Sequence, residues 1–122
     1  MRPSNKYILL FFFIGINTAF AADRLHPEKY YQEKWCKEHG GITEYVLEDK
    51  ARIDCLLDDY AIEFDFANKW AEAVGQSLYY ALKTNKKPGM VLIIEREKDK
   101  RFLDRLQPLA DKYSIKVWII SP

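Results

Sequence analysis

The chain has 122 residues, of which 48% are hydrophobic, and its 19 Lys and Arg residues nearly balance its 18 Asp and Glu residues. This composition excludes a disordered chain, a polybasic nucleic-acid arm and an acidic tail, and the length suits a single domain. The totals combine two unlike parts: an apolar N-terminal segment and a more polar remainder.

The N-terminal segment has the three parts of a secretory signal peptide. Arg2 and Lys6 precede the uncharged run at residues 7–16, and residues 19–21, Ala-Phe-Ala, match a cleavage site. A run of about ten residues is shorter than the ~20 that cross a bilayer as a helix. We therefore predict that residues 1–21 are a signal peptide rather than a retained membrane anchor. The mature chain is then periplasmic or secreted, with no stable membrane association.

Removal of this segment leaves 101 residues as one predicted domain, 22–122, and changes the formal charge from +1 to −1, because the segment carries two cations and no acidic residue. The domain contains both cysteines, Cys36 and Cys55. In an oxidising compartment this pair predicts a disulfide, whose closed loop stabilises the fold by about 3 kcal/mol. The alternative is a Zn²⁺ site that adds His26 and His39, but the Cys-x-x-His spacing has no matching second pair.

The mature chain shows eight predicted elements in the order αβββαβαβ. Helices are predicted at residues 27–39, at residues 68–84 and from Asp99 onward, where Pro108 is expected to kink or split the third helix. Strands are predicted at residues 42–47, 52–57, 61–66, 90–94 and 116–120. The first three strands form an antiparallel meander, and the last two each follow a helix, which predicts right-handed crossovers and parallel pairing. The predicted fold class is therefore α/β, with a mixed five-stranded sheet and helices on both faces.

Two acidic residues occupy facing positions of the predicted hairpin. If the hairpin closes symmetrically about residues 58–59, Asp54 lies opposite Glu63 and Arg52 lies opposite Asp65, with Cβ atoms about 4.5–5.5 Å apart. Two carboxylates this close repel each other unless a cation or a shared proton intervenes. The pattern predicts an Mg²⁺ or Mn²⁺ site at Asp54 and Glu63. The alternative is a solvated sheet face on which Arg52 and Asp65 form an ordinary ion pair.

The second predicted helix carries three polar residues on one side. Lys69, Gln76 and Tyr80 lie within a narrow arc, because their separations are nearly whole numbers of helical turns. Lys69 follows soon after Asp65, so its charge is predicted to lean toward the carboxylates, where it would suit a bound phosphate or an anionic transition state. The alternative is an amphipathic helix whose polar residues face water.

These residues resemble the PD-(D/E)XK, or restriction-endonuclease-like, nuclease superfamily, whose core has the same αβββαβαβ order. Asp54 matches the acidic residue of its second strand, and Glu63 matches the first residue of its (D/E)-x-K triplet. The segment from Gln76 to Tyr80 is similar to the Q-x-x-x-Y element of the RecB-like branch, and Glu33 is similar in position to an accessory acid of some members. The resemblance covers nearly the whole mature chain in element order, whereas its motifs are short.

The resemblance implies metal-assisted hydrolysis of phosphodiester bonds in DNA or RNA. Asp54 and Glu63 would hold one or two Mg²⁺ ions, and Lys69 would orient the attacking water or neutralise charge. Gln76 and Tyr80 would position the nucleic acid. Eight basic residues against four acidic ones in the segment 82–105 would form a phosphate-facing rim, unless that run is only a solvated surface.

One residue departs from the family pattern. Asp65 stands where the family has its catalytic Lys, so Lys69 would have to act in its place from the helix. If Lys69 does not reach the site, the domain is a catalytically inactive nuclease-fold binding module. A further alternative is a disulfide-stapled exported domain that interacts with another protein.

Overall fold

The computed structural model describes residues 24–122. The predicted signal peptide lies outside these residues. In the part of the chain that the structure describes, no helix is both long and apolar enough to cross a membrane.

The elements follow the predicted order αβββαβαβ. The helices are α1 (Glu28–Glu38), α2 (Trp70–Thr84) and α3 (Arg101–Lys112), and short 3-10 turns precede α2 (Ala67–Lys69) and α3 (Glu97–Lys100). The strands are β1 (Ile42–Val46), β2 (Arg52–Leu56), β3 (Tyr60–Phe66), β4 (Lys87–Ile93) and β5 (Lys116–Ile120). They form one sheet in the order β1-β2-β3-β4-β5, antiparallel from β1 to β3 and parallel from β3 to β5. The α/β class and the mixed five-stranded sheet are confirmed.

Helices cover both faces of the central strands. Trp35 of α1 packs in one cluster with Val91 of β4, and Ala73 of α2 and Leu106 of α3 pack in another with Met90 of the same strand. Adjacent strand residues point to opposite faces, so β4 needs apolar side chains at consecutive positions. This requirement explains the continuous apolar run that the sequence shows there.

The structure differs from two predictions that concern proline residues. β4 begins at Lys87, so Pro88 and Gly89 pair with β3 instead of forming the expected turn. A Cβ at Gly89 would lie 2.9 Å from the ring of Trp118, which means that close packing between strands requires glycine here. The third helix is also not split, because α3 runs through Pro108 without interruption.

The β2–β3 hairpin has the predicted register. The Leu57 N–H donates to the Tyr60 carbonyl oxygen at 2.9 Å across the turn. The hydrogen-bonded ladder then pairs Cys55 with Ile62 and Leu56 with Ala61. The turn is therefore centred on residues 58–59, and the next facing position along the strands belongs to Asp54 and Glu63.

A disulfide links α1 to β2. Cys36 and Cys55 are bonded, with a Cα–Cα distance of 5.7 Å, and both side chains are fully buried. The predicted disulfide is confirmed, and the zinc alternative is wrong because both thiols are consumed. His39, one of the other suggested ligands, stacks on Trp35 at a ring distance of 3.6 Å. The disulfide fixes α1 against the strand that carries Asp54.

Replacing both Cys36 and Cys55 with alanine should lower the free energy of unfolding by about 3 kcal/mol, because the unfolded chain loses a cross-link. The bond closes a loop over a sequence separation of 19 residues. Urea unfolding of the oxidised wild type and of the double variant measures the difference. Equal midpoints and slopes for the two proteins would contradict this account.

Gly41→Ala and Gly75→Ala should have opposite effects on stability. A Cβ at Gly41 would lie 2.6 Å from the Sγ of Cys55 and 2.7 Å from the Sγ of Cys36, whereas a Cβ at Gly75 has nothing within 4 Å. We expect Gly41→Ala to destabilise the protein by about 1–3 kcal/mol through overpacking. Gly75→Ala, in the middle of α2, should stabilise it by roughly 0.5–1 kcal/mol. Thermal unfolding of both variants tests the pair, and a stable Gly41→Ala protein with an intact disulfide would refute the packing argument.

Candidate functional site

The candidate site centres on the facing pair Asp54 and Glu63. The two carboxyl groups lie close enough to share a hydrogen bond. Asp54 Oδ2 also accepts a hydrogen bond from the Phe64 N–H at 2.8 Å. The backbone N–H of Phe64 in β3 thus donates to a side chain instead of a backbone carbonyl oxygen, at the point where the β2–β3 ladder ends. This hydrogen bond fixes the orientation of the Asp54 carboxylate.

The strand on the other side of β2 is distorted at the same position. The register of β1 and β2 sets Glu44 opposite Asp54, and Glu44 has φ 54°. A non-glycine residue in this left-handed region costs on the order of 1–3 kcal/mol. Gln32 of α1, which is buried, donates from Nε2 to the Asp54 carbonyl oxygen at 2.8 Å and to Glu44 Oε1 at 3.2 Å. A side chain of α1 therefore donates to the Asp54 carbonyl oxygen, where a regular sheet would supply a backbone N–H from the neighbouring strand.

Glu63 has a buried oxygen that lacks a hydrogen-bond donor. Its side chain belongs to a residue only 5% exposed, and Oε2 receives no hydrogen bond from any donor in the described part of the chain. Burial, and then the negative charge of Asp54, raise the pKa of Glu63 far above its usual range, and burial also raises the pKa of Asp54. A buried charged oxygen is costly unless it is neutralised. The pair therefore requires either a shared proton or a bound cation.

Two more carboxylates extend the site. Asp65, on the same face of β3 as Glu63, is 6% exposed, and the carboxyl of Glu28 at the start of α1 lies within hydrogen-bonding reach of it. Burial raises the pKa of Glu28 to about 8, aided by the charges of Asp54 and Asp65, and burial raises the pKa of Asp65 to about 6. The nearby charge of Lys69 opposes both shifts.

Lys69 lies at the edge of the carboxylate site. The helix predicted from residue 68 begins at Trp70 instead, so Lys69 is in the preceding 3-10 turn, with an exposed side chain. It is near enough to Asp65 and Glu28 to lower the pKa of each, but among the described residues it forms no direct ion pair with either. Its ammonium group is therefore close to the carboxylates and still able to reach an added anion.

Gln76 and Tyr80 complete the set that the structure brings together. The Tyr80 hydroxyl lies within hydrogen-bonding reach of the exposed Gln76 side chain, and the Tyr80 residue is 5% exposed. Burial raises the pKa of Tyr80 to about 12, and the charges of Glu63 and Asp54 add to that shift. Helix α2 thus carries both residues over the face of the sheet that holds the carboxylate pair.

Residues of α1 and β1 in the site were not predicted from the sequence. Glu33, considered as the accessory acid, is exposed with its Oε1 3.7 Å from Lys29 Nζ, and within the described residues no contact joins it to Asp54 or Glu63. Glu28 takes the place near the carboxylates. The signal was available, because Glu28 and Gln32 lie eight and four residues before Cys36 and so share its face of the helix.

The alternative of an ordinary ion pair between Arg52 and Asp65 is wrong. Arg52 is exposed, and its backbone position in β2 faces Val46 of β1. Within the described residues it makes no ion pair with Asp65. The described part of the chain also contains no group of three or more His, Cys, Asp or Glu side chains arranged to enclose a metal ion. A cation at Asp54 and Glu63 would therefore take its other ligands from water or from a substrate, as Mg²⁺ commonly does.

Comparison of the chain with models of protein families, with curated proteins and with solved structures finds no significant match. The geometry and chemistry of the site are therefore the basis for a function.

The free energy of unfolding should fall as the pH rises from about 4.5 to about 8 when no divalent cation is present. Burial holds the pKa of Glu28 at about 8, against the usual 4.5, and that of Asp65 at about 6, against 3.8. The folded state therefore binds more protons than the unfolded state across this range, and deprotonation costs stability until the folded pKa values are passed. Urea unfolding at a series of pH values measures the slope.

The variant Glu63→Gln should flatten that pH dependence, because it removes the most strongly shifted carboxyl and leaves a neutral side chain of the same shape. Glu33→Gln changes an exposed carboxyl and serves as the control, with the wild-type slope. Stability that rises with pH over this range in the wild type would contradict the assignment.

Proposed function

We propose that the protein is an exported, metal-dependent phosphodiesterase that cleaves nucleic acid with a restriction-endonuclease-like core. The observation that supports this most is the pair of partly buried Asp54 and buried Glu63, in which one Glu63 oxygen has no hydrogen-bond donor among the described residues. A divalent cation would remove the repulsion and complete the coordination of that oxygen. The αβββαβαβ order and the sheet order from β1 to β5 agree with the proposed core.

In this proposal Asp54 and Glu63 are the protein ligands of an Mg²⁺ or Mn²⁺ ion. The hydrogen bond from the Phe64 N–H holds the Asp54 carboxylate in one orientation, so little freedom is lost when the ion binds. When bound, such an ion lowers the pKa of a coordinated water and neutralises charge on the phosphate. Asp65 lies near enough to the pair for the charge of Asp54 to act on it, and would serve there as a proton acceptor once ionised.

The remaining residues act on the phosphate and on the strand. Lys69 offers a positive charge beside Asp65, at the edge of the site, where it would stabilise charge that develops on a phosphate oxygen. Gln76 is exposed at the surface above the pair and hydrogen-bonds the nucleotide, while Tyr80 holds the Gln76 side chain in position. The roles of Lys69 and Gln76 are those that the family resemblance implies, whereas Tyr80 here acts through Gln76 instead of contacting the nucleic acid itself.

A second function is favoured by one specific observation. Asp65 occupies the position of the family's catalytic Lys, and Lys69 contacts none of the described carboxylates directly. This arrangement suits a catalytically inactive module that binds a metal ion and nucleic acid without hydrolysis.

Incubation of the oxidised mature protein with plasmid DNA, single-stranded DNA or RNA tests the proposal, with Mg²⁺, Mn²⁺ or EDTA added. We expect cleavage that requires the cation and disappears in Asp54→Asn and Glu63→Gln. Lys69→Ala should reduce kcat by roughly 10²–10³-fold, as expected for loss of one charge that stabilises the transition state. Glu33→Gln, an exposed carboxyl on α1, should keep wild-type activity.

Calorimetric titration with Mn²⁺ separates the outcomes. Metal binding that is lost in Glu63→Gln, together with no cleavage, would favour the inactive binding module. Cleavage that survives all three site substitutions would refute the site. Absence of metal binding, nucleic-acid binding and cleavage would contradict both functions and favour a disulfide-stapled domain that interacts with another protein.

A further inference from the structure

A pocket rich in basic residues lies next to the carboxylate site. It has a volume of about 440 Å³, and its charged lining consists of Arg24, Arg96, Lys98, Asp99 and Arg101. Asn68, which also lines it, directly precedes Lys69 and follows Asp65 by three residues. Three peptide units span at most about 11 Å, so the pocket opens near the same end of β3 as the carboxylates.

Arg24 is held in place by several contacts. Its guanidinium carbon lies 3.7 Å from the centre of the Phe66 ring, and Nη2 donates to Asn68 Oδ1 at 2.7 Å. Its Nη1 is 4.0 Å from Glu95 Oε1. Glu95 Oε2 also accepts hydrogen bonds from the backbone N–H groups of Leu25 and His26 at 3.1 Å each. The buried Glu95 side chain thus anchors the segment that carries Arg24.

The other arginines are also oriented by fixed partners. Arg96 Nε donates to Asp99 Oδ2 at 3.0 Å, and Asp99 is 2% exposed. The Arg101 guanidinium lies 4.8 Å from the centre of the Phe102 ring. Guanidinium groups that are already positioned lose little conformational entropy when they bind an anion, and their planar shape matches a phosphate.

The charge of the pocket favours an anion. Four of its lining residues are Lys or Arg, against Asp99 in the lining and Glu95 behind Arg24, which leaves an excess of two positive charges. Among the described residues, the neighbouring site combines the carboxyl groups of Glu28, Asp54, Glu63 and Asp65 with one nearby cation, Lys69. A polyanion would be repelled by that site unless adjacent cations held it, and contacts to backbone phosphates commonly fix the register of a nucleic acid on a protein.

We propose that this pocket binds a backbone phosphate of a nucleic-acid strand, a few nucleotides from the phosphate that meets Asp54 and Glu63. The part of the proposal that concerns the distance to the scissile bond rests on the proposed phosphodiesterase function. The part that concerns binding does not, because it requires only the cations of the pocket.

Binding of a short fluorescein-labelled DNA strand, measured by fluorescence anisotropy in EDTA over a series of NaCl concentrations, tests the pocket without catalysis. The variant Lys98→Gln/Arg101→Gln should bind roughly tenfold more weakly than the wild type, with a salt dependence of log K shallower by about 1. Both side chains are exposed, so thermal unfolding should match the wild type. The control Lys37→Gln/Lys112→Gln removes the same charge from exposed positions outside the pocket and should bind more tightly than the pocket variant.

Equal affinities of the two double variants would overturn the proposal, since the effect would then follow net charge alone. No binding of the DNA strand by the wild type, or binding of inorganic phosphate without binding of DNA, would also overturn it. Pocket-dependent DNA binding with no cleavage under any metal condition would reject the phosphodiesterase and leave the phosphate site standing.

Discussion

The hydrogen bond from the Phe64 N–H to Asp54 Oδ2, at 2.8 Å, is the contact on which the arrangement of the site depends. It ends the β2–β3 ladder with a side chain in place of a backbone acceptor, and it holds that side chain beside Glu63. The ladder lost on the other side of Asp54 is replaced by Gln32 from α1, and the disulfide at Cys36, one turn further along α1, keeps that helix against β2. The Phe64 hydrogen bond, the Gln32 hydrogen bond and the disulfide together hold the Asp54 carboxylate beside Glu63.

This arrangement is electrostatically costly, because it places several carboxyl groups close together in partly buried surroundings. Burial raises the pKa values of Asp54, Glu63 and Asp65, so the protein without a cation carries protons that its unfolded chain would release. Sites that cost stability in this way persist where they serve a function. The cationic pocket near Arg24 supplies the opposite charge a short distance away. One end of β3 thus presents closely spaced carboxyl groups beside a pocket lined by basic residues, and the proposed metal ion and phosphate would use these two features.

Much of the fold was predictable from local patterns in the sequence. Helical and strand periodicity established the order of the eight elements, because each period reflects which side of an element is buried. The symmetric turn at residues 58–59 established the register that brings Asp54 opposite Glu63, because residues that face each other across a hairpin follow from its turn. The pairing of Cys36 with Cys55 followed from there being two cysteines in a chain with a predicted export signal. Simple alternation does not describe β2, because Ile53 packs with Ala61 whereas Cys55, two residues later, packs with Cys36 in a different cluster.

The sequence by itself determined the element order, the disulfide partners and the residues that face each other across the hairpin, all of which depend on neighbours along the chain. Only the tertiary structure decided that Glu28 and Gln32 join the site, that Glu44 adopts a left-handed backbone, and that Arg24 meets Arg101 at one pocket. These contacts join elements that lie far apart in sequence, and their distances depend on how the sheet twists and how each helix is rotated against it. Local periodicity contains no measure of either quantity.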